Sequence, residues 1–227
     1  MPRDADLAPI RPPREPMFNV PWPVLALIAA LIATHVWREM AQAGVASFAL
    51  TEPDFRAGRW WPLISYMFVH ASWVHLLMNG AFTLAFGAPV ARFLGGGARG
   101  AAAFFAFFLT CGVIAALAYA GVLSLSEAAP WALVGASGAA SGLMGAAVRL
   151  IEGRGALGPV RGRTVAAMTF GWIALNAVLG LSGLTPGAGG APVAWEAHIF
   201  GYLAGLALIG LFARAAGAPA PLVRKPA

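Results

Sequence analysis

The stretch Gly135–Leu150 reads GASGAASGLMGAAVRL and decides the fold of the chain. From Ser137 to Leu150 it would form about 21 Å of helix, which is shorter than a bilayer core of about 30 Å. With Arg149 at the cytoplasmic interface, Ser137 lies about 10 Å below the outer surface. The preceding loop, 129–135, is then irregular backbone at membrane depth, which is tolerated only where protein or water satisfies its polar groups. The stretch therefore predicts a short central membrane helix with a polar start.

The composition of the whole chain is that of a membrane protein. Of its 227 residues, 59% are hydrophobic and 11% are charged, whereas soluble domains are about 45–50% apolar and about 25% charged. This balance excludes a soluble enzyme and a disordered chain. The net charge of +6 does not indicate a nucleic-acid partner, because basic residues anchor the loops of membrane proteins. Cys111 is the single cysteine, so the chain has no internal disulfide framework and no cysteine metal site.

Five other apolar segments accompany the short one, so we expect an all-α, polytopic membrane protein with six transmembrane helices. The predicted spans are Val20–Trp37, Ala71–Ala91, Ala101–Val122, Ser137–Leu150, Val165–Leu181 and Val193–Ala213. Together they predict a membrane domain over residues 20–215. Residues 1–19 are expected to form a flexible, proline-rich cytoplasmic tail, and residues 216–227 a second cytoplasmic tail.

The distribution of lysine and arginine predicts that both termini are cytoplasmic. Twelve of the 15 basic residues fall on that side, namely Arg3, Arg11, Arg14, Arg92, Arg99, Arg149, Arg154, Arg161, Arg163, Arg214, Arg224 and Lys225, and Arg38, Arg56 and Arg59 fall on the other. The alternative for the first span is a signal peptide, because Ala41-Gln42-Ala43 resembles a cleavage site. The preceding region is long and contains acidic residues, which favours a retained helix.

Reactive side chains stand at the start of the second, fourth and sixth spans, and the topology places these starts at one depth near the outer face. They are His70, His75 and Asn79 on the second, Ser137 and Ser141 on the fourth, and Glu196 and His198 on the sixth. Polar groups within a membrane are costly and indicate function. We therefore expect the site residues among these three segments.

Ser137 and His198 have the chemistry that acyl transfer needs. A serine is a poor nucleophile until a base takes its proton, and the resulting imidazolium can protonate the leaving amine. His75 and Asn79 are four residues apart and so share one helix face. With the backbone N–H of Ser137 they can donate to a tetrahedral oxyanion, where the helix dipole is also positive. The pattern predicts hydrolysis of an acyl bond by a Ser/His pair.

No carboxylate is expected to complete this pair. Glu196 is two residues from His198 and so lies roughly on the far side of its helix. We expect a dyad whose histidine is oriented by packing and by neighbouring groups. Ser141, one turn deeper than Ser137 on the same face, is the rival nucleophile. The histidines lack the tight spacing of a metal site such as HExxH, so we expect no metal.

Glycines support the pairing of the fourth and sixth spans. Small residues recur there at small-xxx-small spacing, which lets two helix backbones approach closely. They are Gly138, Gly142 and Gly145 on the fourth span and Gly201 and Gly205 on the sixth. A close approach would bring the serine of one helix within hydrogen-bond reach of the histidine of the other.

These segments resemble the three signature motifs of the rhomboid intramembrane serine proteases. The motifs are Gly135-Ala-Ser137-Gly with Gly142 downstream, Ala197-His198 followed by Gly201 and Gly205, and His75-xxx-Asn79 preceded by His70. The resemblance covers about residues 20 to 215. It implies a rhomboid-like bundle of six helices with the short fourth helix at its centre.

The resemblance also implies an activity and a set of roles. Ser137 would be the nucleophile, His198 the general base, and His75, Asn79 and the Ser137 amide the oxyanion site. His70, Gly135, Gly138, Gly201 and Gly205 would support them. The family hydrolyses transmembrane segments of other membrane proteins near the outer face, within the lipid bilayer, without metal or cofactor. The compact core fits the bacterial type and predicts an inner-membrane location.

Two departures and two alternatives accompany the resemblance. Many members have a Trp-Arg pair in the first external loop, where this chain has Trp60-Trp61-Pro62. Some bacterial members stack an aromatic residue on the catalytic histidine from the position of Ser141, so here either the stacking comes from elsewhere or the histidine is less tightly held. An inactive relative that binds membrane clients is the first alternative, although such relatives typically lack the serine or the histidine. A transporter is the second, but the chain has no convincing inverted repeat.

Overall fold

The structure is a computed structural model that describes residues 19–125, 130–183 and 193–218. Eight α-helices and two short strands lie in this part of the chain. The helices are α1 (Trp22–Met40), α2 (Glu52–Arg56), α3 (Pro62–Ser65), α4 (Trp73–Leu94), α5 (Ala98–Ser124), α6 (Ser137–Glu152), α7 (Arg163–Ser182) and α8 (Trp195–Ala216), and the strands are β1 (Leu50–Thr51) and β2 (Ala132–Leu133). The predicted tails and the outer loop 182–192 lie outside the described residues, apart from those next to the helices.

Five helices within the described residues are long and apolar enough to cross a membrane. They are α1, α4, α5, α7 and α8. Each begins and ends within a few residues of a predicted span, so the chain is an all-α, polytopic membrane protein. The fourth predicted span, Ser137–Leu150, corresponds to α6, which has 16 residues. It is the shortest of the six, as the sequence predicts, and its status as a span stays a prediction.

Helix α6 lies at the centre of the bundle and packs against α4, α5 and α8. Its residues are almost all small or aliphatic, and burial extends around the helix from Gly138 to Leu150. The surrounding core includes the phenylalanines of α5, with Phe104, Phe107 and Phe108 fully buried. A helix that is apolar on every face is stable only when other helices or lipid surround it. The central position of α6 therefore follows from its composition.

Helices α6 and α8 meet through their glycines. A Cβ atom added at Gly201 would overlap the carbonyl oxygen of Gly138, and one at Gly205 would overlap that of Gly142. At Gly145 the added atom would overlap the carbonyl oxygen of Tyr202. The close approach that the small-xxx-small spacing predicts is present. It fixes the distance between the two helices at backbone contact.

The loop that precedes α6 is more regular than the sequence predicts. Strand β2 pairs with β1 in antiparallel register, with Leu50 opposite Leu133 and Thr51 opposite Ala132. The expectation of irregular backbone over 129–135 is therefore wrong at Ala132 and Leu133. Peptide groups buried in a membrane protein need hydrogen-bond partners, and the loop between α1 and α4 supplies them here. The Gly135 N–H likewise donates to the carbonyl oxygen of Tyr66, 2.8 Å away.

The loop between α1 and α4 is held by its own polar network. Arg59 Nη1 lies 2.7 Å from Asp54 Oδ1, and the Thr51 hydroxyl donates to Asp54 Oδ2 at 2.6 Å. Ser65 Oγ donates to the carbonyl oxygen of Phe48 at 2.8 Å. These contacts tie together the loop that contains Trp61 and Pro62.

Helix α7 lies at the edge of the bundle. Only Val165 and Asn176 are buried among its 20 residues. Its start is fixed by Glu152 Oε2, which accepts from the N–H groups of Thr164 at 2.7 Å and Val165 at 3.3 Å. A carboxylate satisfies the unpaired N–H groups at a helix start and suits the positive end of the dipole. The end of α6 therefore anchors α7 at one point.

Candidate active site

Ser137 and His198 are hydrogen-bonded across the α6–α8 contact. Ser137 is the first residue of α6, and His198 lies in the first turn of α8. The distance between Ser137 Oγ and His198 Nε2 is 2.8 Å. Both side chains are half-buried, so the pair is neither sealed in the core nor open to bulk solvent. The geometry is that of a nucleophile beside a general base.

His198 has a second partner that the sequence prediction missed. Its Nδ1 lies 2.8 Å from Oδ1 of Asn176, on α7. The expectation that neighbours rather than an anion orient this histidine agrees with the contact, but the neighbour itself was not among the predicted residues. Asn176 is the only amide side chain within Arg163–Ser182. A lone amide in a membrane helix was the available signal.

His75 and Asn79 lie on α4 against the loop that leads to Ser137. Helix α4 begins after Ser72, whose Oγ accepts from the His75 N–H at 3.2 Å. The Asn79 side chain donates to the carbonyl oxygen of His75 at 2.8 Å. The side-chain amide of Asn79 carries two N–H donors, and this bond uses one of them. The two residues share a helix face, as predicted.

Gly135 is the point where α4 meets this loop. Its φ is +104°, a conformation that L side chains rarely adopt. A Cβ atom there would lie 2.7 Å from Cε1 and Nε2 of the His75 ring and 3.9 Å from Nδ2 of Asn79. The backbone before Ser137 therefore passes directly over these two side chains. The N-cap of α6 is Ala136, whose side chain cannot accept a hydrogen bond. The N–H groups of the first turn of α6 are therefore not capped by an N-cap side chain.

His70 is buried beneath the same loop. Its Nε2 accepts from the N–H of Ala136 at 3.5 Å, and its ring packs edge-on against His75 with centroids 5.2 Å apart. Burial, followed by the neighbouring His75, lowers the pKa of His70 to about 3. The ring is therefore neutral at pH 7 and its Nε2 can accept. No group of three His, Cys, Asp or Glu side chains placed to hold a metal ion occurs in the described ranges.

Two residues near His198, Ser141 and Trp172, bear on whether this histidine has an aromatic neighbour. Ser141 is buried, and its hydroxyl donates to the carbonyl oxygen of Ser137 at 2.8 Å. This rival serine therefore faces the backbone of its own helix. The Trp172 ring of α7 lies beside His198, with centroids 6.3 Å apart and planes 38° from parallel. His198 therefore has an aromatic neighbour on α7, tilted against its ring.

The comparisons with known proteins give one family match. The family model of the Rhomboid domain matches residues 57–215. The match covers more than half of the chain, including α4 to α7 and nearly all of α8. No curated protein matches the chain.

Proposed function

Since the chain belongs to the rhomboid family, we propose that it is an intramembrane serine endopeptidase that cleaves transmembrane segments of other membrane proteins. The observation that carries this proposal is the 2.8 Å contact between Ser137 Oγ and His198 Nε2. Relatives without activity would need neither side chain, and here both are present and in contact. The five apolar helices place the pair within a multi-pass membrane protein.

Acylation begins when His198 Nε2 takes the proton of Ser137 as Oγ attacks the scissile carbonyl carbon. The resulting oxyanion would accept hydrogen bonds from the Ser137 amide and from the His75 and Asn79 side chains, at the positive end of the α6 dipole. The His198 imidazolium then gives its proton to the departing amine, and an acyl-enzyme on Ser137 remains. Water, deprotonated by the same ring, hydrolyses this ester and restores the hydroxyl.

The substrates are membrane-embedded segments because the pair lies among lipid-spanning helices. Ser137, His75 and His198 stand at the starts of α6, α4 and α8, and the positive-inside rule assigns these starts to the outer side. In this orientation both termini are cytoplasmic. The proposal includes no metal or cofactor, and it places the protein in a bacterial inner membrane.

The test is cleavage of a model single-span substrate in liposomes by the full chain and its variants. Ser137→Ala and His198→Ala should each lower the rate by about 1000-fold or more, because the members of such a pair act as a unit. Ser141→Ala is the matched control, since it removes a hydroxyl one turn away whose bond is to the helix backbone. It should retain most of the activity. Cleavage that survives in Ser137→Ala would overturn the proposal.

Labelling with a fluorophosphonate separates the protease from a client-binding relative. The reagent reacts with an activated serine and needs no peptide substrate. The wild-type chain and Ser141→Ala should be labelled, and Ser137→Ala should not. If the wild-type chain is not labelled but still binds other membrane proteins, the result favours the inactive alternative.

A further inference from the structure

We propose that Asn176 is a positioning residue for His198, so that the site is a three-residue Ser–His–Asn arrangement in which α7 supplies the third member. The inference rests on the proposed function for its chemistry, but its geometry stands on the contacts of Asn176 alone. Asn176 Oδ1 lies 2.8 Å from His198 Nδ1. Asn176 is 1% exposed, although it lies on the least buried of the long helices.

The orientation of the Asn176 amide is fixed by its second bond. Its Nδ2 donates to the carbonyl oxygen of Trp172 at 2.9 Å. The opposite orientation would place two oxygen atoms against each other there, so Oδ1 is the atom that faces the histidine. An oxygen can only accept, and His198 Nδ1 must therefore carry the hydrogen.

The tautomer decides whether His198 can act as a base. With the hydrogen on Nδ1, Nε2 of the neutral ring has its lone pair toward Ser137, which is the arrangement that proton removal needs. The opposite tautomer would direct an N–H at the serine oxygen. Some serine proteases use a carboxylate to hold the hydrogen on Nδ1 of the histidine. Replacing that carboxylate so that the opposite tautomer forms lowers the rate by about 10⁴-fold. A neutral amide fixes the same tautomer without burying a charge in the membrane.

Thr169 provides a matched control on the same helix. It lies seven residues before Asn176, or about two helical turns, and so on the same face. Its hydroxyl is 2.9 Å from the hydroxyl of Tyr202 on α8. Both residues therefore link α7 to α8 by one side-chain hydrogen bond, and only Asn176 contacts His198. Replacing Thr169 therefore tests the contact between α7 and α8 without removing a partner of His198.

The experiment compares Asn176→Leu, Asn176→Asp and Thr169→Val in the full chain. The rate constant of fluorophosphonate labelling and kcat and KM for a single-span substrate are measured for each. Asn176→Leu should lower the labelling rate and kcat by about 10- to 100-fold, with KM changed less than twofold, because the base is misaligned. Asn176→Asp keeps an oxygen acceptor and should recover most of the lost rate. Thr169→Val should stay within threefold of wild type.

A second measurement reads the tautomer directly and does not need turnover. In protein with ¹⁵N-labelled histidine, His198 Nδ1 should show the shift of a protonated nitrogen and Nε2 that of an unprotonated one. Asn176→Leu should lose this difference, whereas Asn176→Asp and Thr169→Val should keep it.

The two proposals fail in different ways. A tautomer that stays the same in Asn176→Leu, or equal rate losses in Asn176→Leu and Thr169→Val, would overturn the positioning role and leave the protease proposal intact. A wild-type chain that resists labelling but shows the Asn176-dependent tautomer would overturn the protease and leave the positioning role standing.

Discussion

Helices α6 and α8, which carry Ser137 and His198, meet backbone against backbone, whereas α7 contacts His198 through a few side chains. Between α6 and α8 the carbonyl oxygens of Gly138 and Gly142 occupy the space where Gly201 and Gly205 would carry side chains. Helix α7 has two buried residues, and one of them is Asn176. Ser137 and His198 are thus held by a helix pair in backbone contact. Asn176, on the other side of His198, is held by a helix with few buried residues.

The two contacts fix the distances between side chains in different ways. A backbone contact between glycines cannot be adjusted by rotating a side chain, so the distance between Ser137 and His198 follows from the helix pair itself. The contact between His198 and Asn176 depends on how α7 is docked. Substitutions at the glycines and substitutions in α7 should therefore affect these two contacts separately.

Gly201→Ala should have the largest effect because it breaks the α6–α8 contact. Its Cβ atom would overlap the Gly138 carbonyl oxygen, so α8 must move away from α6. Overpacking of this kind costs about 1–3 kcal/mol of the free energy of unfolding, and a shift of about 1 Å between reacting groups costs about 100-fold in rate. We expect both losses, measured by thermal unfolding in detergent and by liposome cleavage.

Gly171→Ala is the control for this substitution. Gly171 lies on α7, and a Cβ atom there would meet nothing within 4 Å. Neither the unfolding temperature nor the cleavage rate should fall. Equal losses in the two variants would mean that α7 is packed as closely as the glycine pair, which would remove the distinction between them.

Trp172→Ala should have an intermediate effect because it weakens the docking of α7. The Trp172 ring stacks on Phe82 of α4, with centroids 5.5 Å apart, and also lies beside His198 and Tyr202. Such aromatic pairs contribute about 0.5–1.5 kcal/mol each, so the equilibrium constant for docking of α7 should fall by about 10-fold or more. Hydrogen exchange should accelerate in α7 and stay unchanged in α6 and α8. Uniform acceleration in all three helices would contradict a separately docked α7, and Trp172→Phe should restore most of the protection.

The Thr169–Tyr202 bond should have the smallest effect. Hydrogen bonds between membrane helices average about 0.6 kcal/mol in double-mutant cycles. A cycle of Thr169→Val and Tyr202→Phe should therefore give a coupling energy near that value in thermal or denaturant unfolding. A coupling of several kcal/mol would show that this bond, and not the aromatic contacts, holds α7 in place.

The sequence predicted those parts of the site that depend on helix period and local spacing. The apolar segments and the glycines indicated where α6 and α8 lie and that they touch, and the family motifs indicated Ser137, His198, His75 and Asn79. The roles of these residues stay predictions. The spacing of residues along one helix does indicate which of them share a face.

Two features could not be predicted because they depend on partners far apart in the chain. Strands β1 and β2 have two residues each, too few for an alternating pattern to be visible. Asn176 gained its partner only when α7 was placed beside α8, and no motif links it to His198. Contacts of single residues between distant segments have no periodicity, so only the folded chain reveals them.

The position of His198 on α8, the last helix within the described residues, has a consequence for synthesis. Ser137 is an ordinary alcohol until an imidazole stands beside it, and that imidazole is made after the other long helices that the structure describes. On the proposed function, a partly synthesised chain therefore carries the nucleophile without its base. Hydrolytic activity would then arise only when α8 docks against α6, so the helices of the nascent chain would not be cleaved before that step.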